Sequence, residues 1–167
     1  MAEPRDAPAG AVTVVVMTRN RCGDLERSLP RHQAPVILVD NGSTDGTLEM
    51  VRTRFPDVDV VALGRNLGAT ARNIGVERAA TPYVAFADDD SWWAPGALEH
   101  AVDVLERHPR LGLLAARTLI GVDERPDPIC LQMSAAPLGT SADLPGRCAR
   151  PLPRCRPRPA TGAASVP

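Results

Sequence analysis

The stretch Val12–Met17, VTVVVM, is almost unbroken apolar sequence dominated by β-branched residues. A strand with one wet face alternates apolar and polar residues, whereas one covered on both faces does not. Three later runs share this character: Val36–Val39, Val58–Leu63 and Tyr83–Ala87. Strands that bury both faces need layers above and below, so these runs demand helices between them. They exclude an open antiparallel meander.

The intervening segments read as helices. Asp24 is a candidate N-cap for a short helix running to Leu29, closed by Pro30 and Pro35. Leu48, Val51 and Phe55 form an amphipathic stripe that Pro56 ends. Leu67–Ala80 is Ala-rich and helically spaced, and Thr81-Pro82 breaks it. Pro95 suits the first position of a helix whose inner face is Leu98, Ala101, Val102 and Leu105. Leu111–Ala116, extending toward Ile120, reads as a fifth strand. Strands joined by crossover helices imply a mostly parallel sheet, and hence an α/β, Rossmann-like fold.

The pattern occupies residues 11–121. Residues 1–10 are polar and read as a disordered start, without the basic-then-apolar layout of a signal peptide. Residues 122–146 read as a partial linker in which only Ile129–Met133 hints at regular structure. Residues 147–167 form a low-complexity tail with five arginines and no acid, expected to be disordered. The formal net charge of −1 argues against a nucleic-acid binder. No apolar run is long enough for a transmembrane segment. Cys22, Cys130, Cys148 and Cys155 lack zinc-ligand spacing and read as free thiols of a cytoplasmic protein.

In an open α/β sheet, ligands bind outside the carboxyl ends of the strands. Each of the first four strands is followed there by a polar cluster: Thr18-Arg19-Asn20, Asp40-Asn41-Gly42-Ser43, Gly64-Arg65-Asn66, and Asp88-Asp89-Asp90. The acidic triplet carries the most information, because adjacent carboxylates repel unless solvated or held on a cation. On extended backbone, residues i and i+2 point the same way. Asp88 and Asp90 are therefore candidates to share a Mg²⁺ or Mn²⁺ ion with substrate phosphates, while Asp89 turns aside. A metal-bridged diphosphate is a better leaving group. Other nucleotide signatures are missing: MTRNRCG supplies no GxGxxG after the first strand, and there is no Walker loop.

The motifs VVVMTRNR, VILVDNGSTDGT, GRNLGATARNIG and YVAFADDDSWWAPGAL, in this order, resemble family 2 glycosyltransferases of the GT-A fold. The resemblance implies a nucleotide-binding half with bound nucleotide-diphosphate sugar. It places Thr18, with Arg19 and Asn20, at the nucleoside, Asp40 and Asn41 at the base, and Asn66 and Gly68 in the loop approaching the donor. It places Arg72 at the nucleotide or its phosphates, Asp88 and Asp89 at the donor, and Asp88 and Asp90 on the metal. Trp92 and Trp93 lie where the family's chain passes the sugar.

The implied reaction is metal-assisted transfer of a sugar to an acceptor hydroxyl of a glycan, lipid or small molecule, in the inverting form with a base that deprotonates the acceptor. In the family that base lies in a later acidic segment. The last acids here, Asp123, Glu124, Asp127 and Asp143, match no such motif, so no catalytic base is identified. This leads to three expectations: a donor half without an acceptor half, a frameshift near Gly146 as its origin, and weak or absent turnover. The competing classes are a non-catalytic nucleotide-sugar binding module and another metal-dependent nucleotide-using enzyme such as a nucleotidyltransferase. The expected location is the cytoplasm, including the inner face of the membrane.

Overall fold

A computed structural model describes residues 10–121 and 123–135. The expectations for residues 1–9 and 136–167 lie outside the described residues. The chain divides into two units, residues 1–115 and 116–167.

The first unit alternates strand and helix: β1 (Val12–Thr18), α1 (Cys22–Ser28), a 3-10 turn (Leu29–Arg31), β2 (Val36–Asp40), α2 (Thr47–Arg54), β3 (Asp59–Ala62), a second 3-10 turn (Gly68–Thr70), α3 (Ala71–Arg78), β4 (Tyr83–Asp88) and α4 (Ala97–Arg107). The strands form one parallel sheet in the order β3-β2-β1-β4. The α/β expectation is borne out, and the two most apolar runs occupy the sheet centre.

Side-chain alternation divides the core in two. Val14, Val16, Leu38, Ala85 and Ala87 pack with Leu25 of α1, Val51 of α2 and Leu98 of α4. Val15, Ile37 and Val39 point the other way, against Ala71 of α3. Val14, Val15, Val16, Leu38 and Val39 are fully buried, and each such side chain contributes about 1.5–3 kcal/mol by leaving water. The contact with α3 is close because Gly75 has no side chain. A Cβ there would overlap Val15 and lie 3.1 Å from Val39 Cγ2.

Several local expectations are corrected. Helix α1 begins at Cys22, so Asp24 lies in its first turn and not at the cap; there its carboxylate faces Arg21 at 3.4 Å and Arg27 at 2.5 Å. Helix α4 begins at Ala97 after Gly96 in the left-handed region (φ 76°), which leaves Pro95 in the preceding turn. The segment from Leu67 opens as a 3-10 turn, and the α-helix proper spans Ala71–Arg78. The fifth strand does not form over residues 111–118, where Leu111, Leu113 and Leu114 are exposed, Leu113 at 77%. An apolar run becomes a strand only when an edge and a covering layer receive it.

In the second unit, Leu119–Ile120 (β5) pairs antiparallel with Arg125–Pro126 (β6), and Pro128–Ala135 forms helix α5 over the segment expected to be structured at Ile129–Met133.

Candidate functional site

Parallel register brings three strand exits side by side. Thr18 pairs with Asp40 across β1 and β2, and Met17 pairs with Asp88 across β1 and β4. The Asn41 N–H donates to the Thr18 carbonyl at 2.9 Å, and the Leu63 N–H donates to the Asp40 carbonyl at 3.0 Å. Main-chain bonds just beyond the sheet thus join the exits of β1, β2 and β3.

The β2 exit is buried and internally satisfied, with one exception. Asp40 is 1% exposed. Its Oδ2 accepts the Ser43 N–H at 3.1 Å, while Oδ1 is buried without a partner. A buried acceptor left unmatched is costly, and such an atom asks for an explanation in strain, a bound water or ion, or a functional contact. Beside it, the Asn41 amide donates to Asn66 Oδ1 at 2.9 Å and to the Gly68 carbonyl at 3.2 Å. Asn41 Oδ1 accepts the Leu67 N–H at 2.7 Å. Asn66 Oδ1 also accepts the Gly68 N–H at 2.8 Å. Asn41 and Asn66 therefore shape the loop after β3 by spending their own hydrogen bonds on it.

Gly42 (φ +80°) brings this turn against the same loop, since a Cβ at that position would lie 2.9 Å from the Arg65 carbonyl carbon. The β1 exit closes over the top. Asn20 Oδ1 accepts the Thr44 N–H at 2.8 Å, its own N–H donates to Ser43 Oγ at 2.9 Å, and Arg19 Nε reaches the Gly42 carbonyl at 3.4 Å. Asn20 holds a left-handed backbone (φ 56°) to do so.

The β4 exit is open by contrast. Asp88 has a side chain 67% exposed and receives Arg72 Nη2 at 2.5 Å. Ser91 closes a turn behind it, accepting the Asp88 N–H on Oγ at 2.9 Å and returning its own N–H to the Asp88 carbonyl at 3.2 Å. Asp90 is exposed, whereas Asp89 is partly buried. Asp89 Oδ2 accepts the Thr18 hydroxyl at 3.2 Å, and its carbonyl accepts Ser28 Oγ at 2.7 Å. Burial pushes the Asp89 carboxyl above the usual carboxylate range, opposed by the Thr18 hydrogen bond and the Arg21 charge. Trp93 packs against the core. Trp92 is exposed, and the Arg31 guanidinium carbon sits 4.1 Å from the centre of its ring.

Among the described residues no three acidic, His or Cys side chains are grouped to hold a metal. The donor set of Asp88 and Asp90 nevertheless suits a hard cation that keeps water and phosphate oxygens as its other ligands. Both carboxylates are exposed on one turn, and neither is taken up by a hydroxyl or main-chain donor as Asp89 is by Thr18. Ser28, Arg31 and Ser91 support the site and were not singled out from the sequence. Ser91, three residues after Asp88, carries a readable turn signal; Ser28, at the end of α1, and Arg31, in the 3-10 turn that follows, are remote in sequence and carry none.

Known proteins resemble this chain in sequence and fold. The family profile described as "Glycosyl transferase family 2" matches residues 13–153. An N-acetylglucosaminyl-diphospho-decaprenol L-rhamnosyltransferase of Mycobacterium tuberculosis is 34% identical over 119 residues, covering 60% of this chain and 39% of its own length. Glycosyltransferase AglE of Haloferax volcanii is 30% identical over 91 residues, covering 47% of this chain and 30% of its own. Among solved structures, the mannosyltransferase PcManGT of Pyrobaculum calidifontis in complex with GDP-Man and Mn²⁺ superposes with a TM-score of 0.53 at 27% identity, over 71% of this chain and 38% of that one. S. aureus TarS 1-349 in complex with UDP-GlcNAc shares the fold, with a TM-score of 0.52 at 22% identity, over 65% of this chain and 37% of that one. The chain thus spans about 39% of the length of the first curated relative. No helix among the described residues is long and apolar enough to cross a membrane. With a match that extends over most of its length, the chain belongs to glycosyl transferase family 2.

Proposed function

We propose that this chain binds a nucleotide-diphosphate sugar across the exits of β1, β2 and β4, and that it serves metal-assisted transfer of the sugar to an acceptor hydroxyl. The observation that carries the reading is Asp40: a buried carboxylate at the strand rim with one oxygen unmatched. A nucleotide base offers the N–H donor that this oxygen lacks. Thr18, Arg19 and Asn20 would line the nucleoside from one side. Asn41, Asn66 and Gly68 would hold the donor-facing loop in shape. The two complexes named above, with GDP-Man and Mn²⁺ and with UDP-GlcNAc, support the ligand class.

Asp88 and Asp90 would hold Mg²⁺ or Mn²⁺, which supplies charge neutralisation at the diphosphate leaving group. Arg72 now pairs with Asp88. In the loaded site its guanidinium would be available to the diphosphate, for which its planar fork is well suited. An inverting displacement also needs a base at the acceptor, and none of these residues is assigned to it. A glycan or lipid-linked hydroxyl is the acceptor class that the mycobacterial relative's name supports.

Calorimetry with UDP and GDP, with and without Mn²⁺, tests the donor reading. Binding is expected with metal and should fall at least about tenfold in Asp40→Ala and in the Asp88→Ala/Asp90→Ala double variant, since each loses charge-assisted contacts. Metal-independent binding that survives all three substitutions would overturn it. The competing reading is a nucleotide-sugar binding module without turnover. Donor hydrolysis by the chain counts against it.

A further inference from the structure

We infer that Asp89 is a positioning residue: its carboxylate pins the acidic turn to β1 and so directs Asp88 and Asp90 outward. The structural basis is independent of any ligand. Asp88 and Ser91 close the turn through three hydrogen bonds, which leaves Asp89 and Asp90 as its central pair. Asp89 is held from two directions. Its side chain accepts a hydrogen bond from the hydroxyl of Thr18, a residue 2% exposed at the end of β1. Its carbonyl accepts one from the hydroxyl of Ser28, buried at the end of α1. Three residues further on, Arg31 caps the ring of Trp92 and holds the outgoing chain.

The consequence is directional. Drawing the middle carboxylate inward leaves its neighbours exposed on either side. It also separates one of three like charges from the other two, which repel less in solvent than they would crowded together. The same bond commits the Thr18 proton to Asp89, so Thr18 can meet a ligand only as an acceptor. The segment from Ser28 to Arg31 thereby becomes part of the site's architecture, although it faces no ligand itself.

The effect on nucleotide binding rests on the donor reading above; the pinning does not, and the test separates the two. Amide hydrogen exchange on the ligand-free protein reports the pin. In Asp89→Ala and, separately, in Ser28→Ala, exchange at Asp88 and Ser91, whose amides the turn holds, should accelerate about tenfold while β1 and β2 amides stay protected, as expected for local opening. Asp89→Asn keeps an acceptor for Thr18 and should restore both the protection and the Mn²⁺-dependent affinity for UDP or GDP to within about threefold, whereas Asp89→Ala loses about tenfold in affinity.

Unchanged exchange in both Asp89→Ala and Ser28→Ala overturns the pin. So does an Asp89→Asn variant as weak in nucleotide binding as Asp89→Ala, because that result makes the charge itself a ligand contact. If the wild type binds no nucleoside diphosphate, the donor reading fails and the exchange results still decide the pin. Should Asp89→Ala not fold, Ser28→Ala carries the exchange measurement.

Discussion

The exits of β2 and β4 lie two strands apart on one rim and are built in opposite ways. Asp40 and Asn41 are buried, and Asn41 alone makes hydrogen bonds to Asn66, Leu67 and Gly68. Asp88 is exposed, and among the described residues its side chain is paired only with the Arg72 guanidinium. The first exit is a preformed shape with a single unmatched acceptor. The second is charge held ready, with a counter-ion that can be exchanged. A rigid shape suits recognition of a base, whereas exchangeable charge suits a metal and a diphosphate that arrive together.

The largest test of this contrast is Gly42→Val. A side chain there meets the Arg65 backbone and needs a left-handed β-branched residue, so a loss of about 3 kcal/mol or more is expected in urea unfolding. If stability is unchanged, the β2 exit is not the rigid partner. Asn41→Ala follows, at about 1–3 kcal/mol, because it strands the part-buried Leu67 N–H and the Gly68 carbonyl together. Arg72→Ala should cost no more than about 1 kcal/mol, as for other exposed ion pairs, yet weaken metal-dependent nucleotide binding clearly. A large stability loss there would erase the difference between the exits.

The smallest expected effect is in acid. In the loop after β2, the Thr47 hydroxyl donates to Asp45 and holds its carboxyl below the usual range. Burial raises that of Asp89. A depressed carboxyl stabilises the fold above its unfolded pKa, and this is lost as pH falls through the folded value. A raised one stabilises below its unfolded pKa, and this is lost as pH rises through the folded value. Unfolding measured between about pH 3 and pH 6 should therefore respond oppositely to Asp45→Asn and Asp89→Asn. Shifts of the same sign in both variants would show that the two exits do not titrate as opposites.

Much of the frame was legible because burial on both faces leaves a direct mark on sequence. Val12–Met17 and Val36–Val39 read as strands covered on both faces, and both lie at the sheet centre, whereas the other two runs of that kind lie at its edges and are only partly covered. Their polar exits were legible for the same reason, since a buried strand can meet water only at its ends. Leu111–Ala116 misled because an apolar run records what a segment prefers and not whether a sheet edge receives it. Asp24 misled because cap chemistry and first-turn chemistry favour the same residue. Ser28 and Arg31 were invisible because their partners lie 61 residues away in sequence.

Sequence by itself determined the layer order, the parallel sheet and the rim where polar residues gather, since all three follow from the periodicity and punctuation of single segments. Alternation along the chain already set Asp89 against its two neighbours. Only the tertiary structure decided what holds it, since the triplet runs from the strand end into a turn and Asp89 is drawn in by Thr18 and Ser28, hydroxyls that β1 and α1 bring to it. It likewise decided that Asp40 keeps one oxygen unmatched. Whether a buried acceptor finds a donor is a property of the packed neighbourhood, which no single segment encodes.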